Sequence, residues 1–207
     1  MIDKFCDWIT KKIKDNVENI DEEKEMVINF GIRLIFGEMP KIILLFIIGF
    51  LLGIGWYTIL FFSLLAVYRS FTGGFHLKTH IGCMITTSIL YLLPIILAKY
   101  ISISQDYILY SITGLVTLFS IFIITKYAPA DTENIPILSK KERKSKKIKA
   151  YISLLVLAII ILVSPNKQIS YMLVYGMFLQ NLTVLPISYK LTNNKYGYEV
   201  YTEETAL

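Results

Sequence analysis

Ile42-Ile43-Leu44-Leu45-Phe46-Ile47-Ile48-Gly49-Phe50-Leu51-Leu52-Gly53-Ile54-Gly55 opens an apolar stretch that continues without a charge to Val67. As one helix, 42–67 would be roughly 39 Å long at about 1.5 Å per residue, against a hydrocarbon core of about 30 Å. The glycines at 53 and 55 therefore predict a break that divides the stretch into shorter helices. Such helices need not all span, provided their backbone ends are buried in protein. Further apolar runs follow at 81–98, 107–125, 150–163 and 169–189, with short polar joints and one long basic loop between them.

With 55% hydrophobic residues and a mean hydropathy of +0.57, the chain is expected to lie in a membrane. The fold class is an all-α integral membrane protein of about six membrane helices, some short or broken. At 23.8 kDa there is no room for a separate soluble enzyme, so any chemistry must come from the membrane helices and their loops. The expected organisation is a single domain, 1–207: an interfacial segment at 1–25, membrane helices at 26–189 and a cytoplasmic tail at 190–207.

In that first segment Ile2, Phe5, Ile9, Ile13, Val17 and Ile20 recur every three or four residues among charges, which predicts an amphipathic helix on the membrane surface. It has no apolar core with a small-residue cleavage site, so it does not read as a removable signal peptide. Lys140, Lys141, Arg143, Lys144, Lys146, Lys147 and Lys149 stand against one acid, Glu142, which marks this stretch as cytoplasmic. Counting spans back from it sets 69–83 at the cytoplasmic mouth. The net charge of +5 is explained by this topology signal, and no nucleic-acid partner is expected. The basic stretch is also suited to an acidic peptide or an anionic lipid. Cys6 and Cys83 fall on the reducing side, so no disulfide is expected, and Cys6 is given no role.

Reactive side chains gather in one place, Arg69-Ser70-Phe71-Thr72-Gly73-Gly74-Phe75-His76, with Cys83 seven residues on. Gly73 and Gly74 permit a sharp turn and close approach to a ligand. Thr79 is suited to cap a helix whose first turn holds Cys83, where the helix dipole favours a thiolate. Seven residues of unbroken helix would hold His76 and Cys83 about 10 Å apart, so they react together only if His76 lies in a loop folded back over the thiol. Cys83 would then be the nucleophile and His76 its acid or base.

Other readings stay open. His76, His80 and Cys83 line one helix face, an acceptable metal pattern, if the segment is wholly helical; no fourth ligand is evident. His76 and Cys83 also suit ordinary packing in a helix bundle, and His80 suits a cap or a solvent-facing position. Arg69 either snorkels to the interface or binds a substrate carboxylate or backbone. Tyr127-Ala128-Pro129-Ala130-Asp131-Thr132-Glu133-Asn134-Ile135-Pro136, too rich in Pro and acids for a helix, reads as a turn with Asp131 capping locally.

Taken together, these residues resemble the AgrB family, the membrane-embedded cysteine endopeptidases of Gram-positive peptide quorum sensing. The resemblance covers essentially the whole chain. It rests on Arg69, Gly73-Gly74-Phe75-His76 and Cys83, on Tyr127 to Thr132 before the basic stretch, and on Gln180 to Pro186. It implies a cell-membrane enzyme that processes an AgrD-type propeptide with an amphipathic leader, a short signal region and an acidic tail. Cys83 as nucleophile and His76 as acid–base partner would form an acyl-enzyme thioester, and a Cys or Ser of the propeptide would capture the acyl group as a thiolactone or lactone. A homodimer is expected, and no cofactor or metal. Asp131 is the candidate for orienting His76, with Arg69 or a substrate group as its other candidate partners. The rival functions are a membrane transporter or export component, for which the sequence offers neither a buried charge pair nor an internal repeat, and a non-catalytic scaffold with Cys83 structural.

Overall fold

A computed structural model describes residues 2–17, 20–77, 79–101, 105–133 and 136–199. The architecture is all-α: α1 (Ile2–Asn16), α2 (Glu22–Leu51), α3 (Gly55–Thr72), α4 (His80–Tyr100), α5 (Asp106–Lys126), α6 (Lys140–Val163), α7 (Lys167–Leu182) and α8 (Pro186–Leu191). By length and composition Lys24–Leu51, Ile81–Tyr100 and Asp106–Lys126 are each apolar enough to cross a membrane. The break expected near Gly53 to Gly55 is present: α2 stops at Leu51, the chain turns, and α3 starts at Gly55.

Large apolar side chains stay exposed along the outer faces, among them Ile43, Ile47, Phe50, Ile89, Leu115, Leu118, Leu155 and Ile159. A belt this extensive is not stable in water and is natural against lipid tails. The interior is built around α7, which packs on α4 most extensively and also on α3, α5 and α6. Its Tyr171, Met172, Leu173, Val174 and Met177 are buried with Phe61 and Leu65 of α3, Ile95 of α4 and Leu157 of α6. One buried polar chain crosses three helices: the Tyr68 hydroxyl donates to Asn181 Oδ1 (2.8 Å), and Asn181 Nδ2 donates to Ser120 Oγ (2.6 Å). The pairing ties α3, α7 and α5 together where no water is available to satisfy those groups.

Three segments differ from the sequence reading. The amphipathic helix ends at Asn16, because Asp21 accepts a 2.8 Å hydrogen bond from the Lys24 N–H and so starts α2 afresh. That α1 packs on α2 through Cys6 and Thr10, with Arg33 2.7 Å from Asp7 and Lys14 paired with Glu25. Residues 140–149 are not a loop but the opening turns of α6, where Ser139 caps the Glu142 N–H and Lys and Arg are good helix formers. The 169–189 run is divided, α7 closing at Leu182 and Pro186 opening α8, because proline suits a first helical turn and not an interior. Beyond α8 the chain folds back: Tyr196 stacks on Tyr189 with ring centroids 4.2 Å apart, and the Tyr198 N–H reaches Asp131.

Candidate active site

The segment between α3 and α4 carries the candidate chemistry, and two glycines shape it. The Gly73 N–H closes α3 on the Arg69 carbonyl at 2.8 Å. The chain then runs beside Ala130: the Ala130 N–H donates to the Thr72 carbonyl (2.9 Å), and the Gly74 N–H donates to the Ala130 carbonyl (3.0 Å). Gly73 and Gly74 have φ of 74° and 141°, where a side chain is strained. A Cβ on Gly73 would lie 2.1 Å from the Ala130 carbonyl oxygen, and one on Gly74 2.5 Å from Thr183 Oγ1. Glycine is therefore required at both positions by backbone angle and by space.

Arg69 fastens this segment to α7. Its guanidinium donates to Gln180 Oε1 (2.8 Å), Thr183 Oγ1 (3.1 Å) and the Phe75 carbonyl (3.0 Å). Gln180 in turn donates to Thr72 Oγ1 (3.1 Å) and the Gly73 carbonyl (2.7 Å), and the Phe75 N–H reaches the Thr183 carbonyl (3.2 Å). Arg69 thus points inward and holds the loop that precedes His76, in place of snorkelling outward. Gln180 and Thr183 belong to the Gln180 to Pro186 segment singled out in the sequence, which covers the end of α7 and the start of α8.

Thr79 caps α4 by accepting from the Gly82 N–H at 3.2 Å, and the Cys83 N–H makes a 2.9 Å bond to the Thr79 carbonyl. Cys83 is therefore buried in the first turn of α4, as the Thr79 capping position predicts. His76 lies in the non-helical segment, so His76, His80 and Cys83 do not share one helix, as the metal reading requires; the His80 side chain lies outside the described residues. No group of three or more His, Cys, Asp and Glu is gathered for a metal among the described residues.

His76 and Cys83 line one small cleft with Arg69, Leu77 and Thr183. On its other side His76 faces a cavity of about 360 Å³ walled by Glu38, Lys41, Tyr91, Asp131 and Lys146 among others. No hydrogen bond joins His76 to Cys83 or to Asp131 among the described residues. Burial foremost, then the Arg69 guanidinium and in smaller part Lys41, pushes His76 down to about 4 from 6.5, with Glu38 opposing. At neutral pH the imidazole is uncharged and able to accept a proton.

Asp131 is occupied elsewhere. Its Oδ2 accepts from the N–H groups of Ile137 (2.9 Å) and Tyr198 (3.1 Å) and stands 3.3 Å from the Arg143 guanidinium, which also lies 4.4 Å from the Tyr198 ring centre. Its Oδ1 is buried without a hydrogen-bond partner. The carboxylate gathers the 131–137 turn, the opening of α6 and the returning chain end at one wall of the cavity.

Two residues of this site escaped the sequence reading. Lys41 Nζ is 2.6 Å from Glu38 Oε1 and 3.4 Å from Cys83 Sγ, with Lys41 only 8% exposed. Lys41 is buried while its partner Glu38 is about half exposed, so the pair lies at the edge of the bundle interior. Its signal was in plain view: opposite charges three residues apart, around Pro40, within an apolar run are costly unless they serve a purpose.

The fold and site define an all-helical membrane protein with a cysteine and a histidine converging at one end of the bundle. The family model of accessory gene regulator B matches residues 6–184, and the chain belongs to that family. It is 29% identical to the accessory gene regulator protein B of Staphylococcus intermedius, over 90% of this chain and 95% of that one. AgrB-like proteins of Listeria monocytogenes (27%, 87% of each chain) and Clostridium acetobutylicum (25%, 95% of this chain and 91% of the other) are also similar. No solved structure matches.

Proposed function

We propose that this protein is a cysteine endopeptidase of the cell membrane that cleaves the C-terminal tail from an AgrD-type quorum-sensing propeptide. The observation that carries the reading is the shared cleft of His76 and Cys83, set beside a cavity with room for the few residues around a scissile bond. His76 takes the thiol proton from Cys83 while sulfur attacks the carbonyl carbon of the bond between signal region and tail. The C–N bond breaks, the proton passes from His76 to the leaving nitrogen, and a thioester remains on Cys83. His76 then accepts a proton from a Cys thiol or Ser hydroxyl of the bound propeptide. That group takes over the acyl carbon, closing a thiolactone or lactone ring, and the proton returns to the Cys83 sulfur. Exclusion of water from the membrane boundary protects the thioester from hydrolysis.

Family membership supports an AgrD-type partner. Lys146 on the cavity wall, within the basic opening of α6, suits an acidic tail. By the excess of Lys and Arg on that segment, the site faces the cytoplasm. Arg69, Gly73 and Gly74 position the loop, Asp131 braces the cavity wall, and the chain works as a homodimer.

The test is to express the chain with its candidate propeptide and read the propeptide by mass. Wild type is expected to release the tail, and Cys83→Ala and His76→Ala are both expected to leave it attached. Release that survives either substitution overturns the mechanism. Neutralising Lys144, Lys146 and Lys147 is expected to weaken propeptide binding and flatten its salt dependence; unchanged binding removes the basic contact.

A further inference from the structure

Lys41 lies within the apolar length of α2, where an ammonium is costly to hold unless paired. Glu38, one turn earlier, takes one of its N–H bonds at 2.6 Å. A second points at the sulfur of Cys83, 3.4 Å away on α4. An ion pair needed only for packing has no reason to aim its cation at the one atom that must become negative. Lys41 from α2 reaches that sulfur with Glu38 bonded behind it, and Arg69 from α3 and His76 from the loop line the same cleft as Cys83; α7 carries its one charge, Lys167, at its first residue. Two cations thus stand against one carboxylate, and a sulfur anion neutralises the surplus.

We propose that Lys41 is a catalytic residue whose ammonium, held by Glu38, stabilises the Cys83 thiolate while His76 carries the proton. The assignment rests on the reading of Cys83 as the nucleophile. It accounts for a half-buried histidine beside the Arg69 guanidinium that forms a poor imidazolium: the lasting countercharge to sulfur comes from Lys41, which keeps its own proton throughout. When the thioester forms, the sulfur loses its charge and the ammonium is left with Glu38 alone. When the propeptide nucleophile displaces Cys83, the departing sulfur meets the same cation, which makes it a better leaving group.

The experiment uses the purified full chain in lipid nanodiscs and a neutral probe, iodoacetamide, with modification of the Cys83 peptide followed by mass. At pH 7 Lys41→Met is expected to slow alkylation about tenfold or more, the scale of an opposite charge within hydrogen-bond distance. Lys41→Arg is expected to keep most of the rate. Raising the pH from 7 to 10 is expected to narrow the gap between wild type and Lys41→Met, since hydroxide replaces the help the ammonium gives. Lys41→Gln is read by the same criterion if Lys41→Met does not fold. Equal rates at pH 7 overturn the proposal, as does a ratio of wild type to Lys41→Met that stays constant from pH 7 to pH 10, which reports blocked access in place of lost charge. A Lys41-dependent rate in a chain that cuts no propeptide upholds the contact and overturns the peptidase reading instead.

Discussion

The Gly74 N–H donates to the Ala130 carbonyl at 3.0 Å, so the turn after α3 is registered on the turn after α5 before His76 is reached. Two distant stretches of sequence therefore set one histidine. Gly73→Ala would drive a methyl group to 2.1 Å from that same carbonyl oxygen at a φ of 74°, a strain of about 1–3 kcal/mol that the loop relieves only by moving. Propeptide cleavage is expected to fall at least about tenfold, since about 1.4 kcal/mol is a factor of ten. Gly114→Ala, with nothing within 4 Å of its added Cβ, is the control and is expected to be neutral in the same mass assay.

Arg69 makes its three bonds to Gln180, Thr183 and the Phe75 carbonyl and none to Cys83. Arg69→Gln leaves buried acceptors unpaired at about 1–3 kcal/mol each. It is expected to lower kcat by more than tenfold through a misplaced His76, while Cys83 is still alkylated at pH 10. A variant that retains full kcat would show that the loop holds without the guanidinium.

His76 gives a pH dependence of known sign. The folded protein holds it at about 4 against 6.5 ordinarily, so the unfolded chain binds the extra proton between those values. Stability is full above about pH 6.5, falls as pH drops toward 4, and then levels, a difference of about 3 kcal/mol at most. His76→Gln is expected to remove most of that slope when thermal unfolding is compared between pH 7 and pH 5. Identical slopes in wild type and variant would contradict the buried, neutral imidazole.

What could be read in advance followed from local chemistry. The length of 42–67 against a bilayer demanded the break that separates α2 from α3, and Thr79 marked the start of α4, with Cys83 in its first turn. The contacts of Asp131 were not legible, because its partners Tyr198 and Arg143 lie far along the chain and reach it only through the return of the C-terminal segment. The charges of Glu38 and Lys41 inside an apolar run are legible as costly, but the contact of Lys41 with Cys83 is not, because 42 residues separate them. The charge of the basic stretch by itself suggests a loop, whereas its residues favour helix and Ser139 supplies the cap.

Asn181 connects Tyr68 to Ser120 at full burial, well inside the bundle. Asn181→Leu takes the acceptor from the Tyr68 hydroxyl and the incoming bond from Ser120 Oγ, which keeps its own bond to the Val116 carbonyl, and is expected to cost about 1–3 kcal/mol of stability. A lowered unfolding temperature with unchanged Cys83 alkylation at pH 10 is the expected pair of readings; an unchanged unfolding temperature would show that the network is dispensable.

The most direct test of the account is the mass of the protein itself during turnover. With a propeptide whose cyclising residue is replaced by Ala, the Cys83 peptide is expected to carry the leader and signal region as a hydroxylamine-sensitive adduct, absent from Cys83→Ala and His76→Ala. Tail release without any adduct on Cys83, or an adduct on another residue, would contradict the thioester on which the account depends.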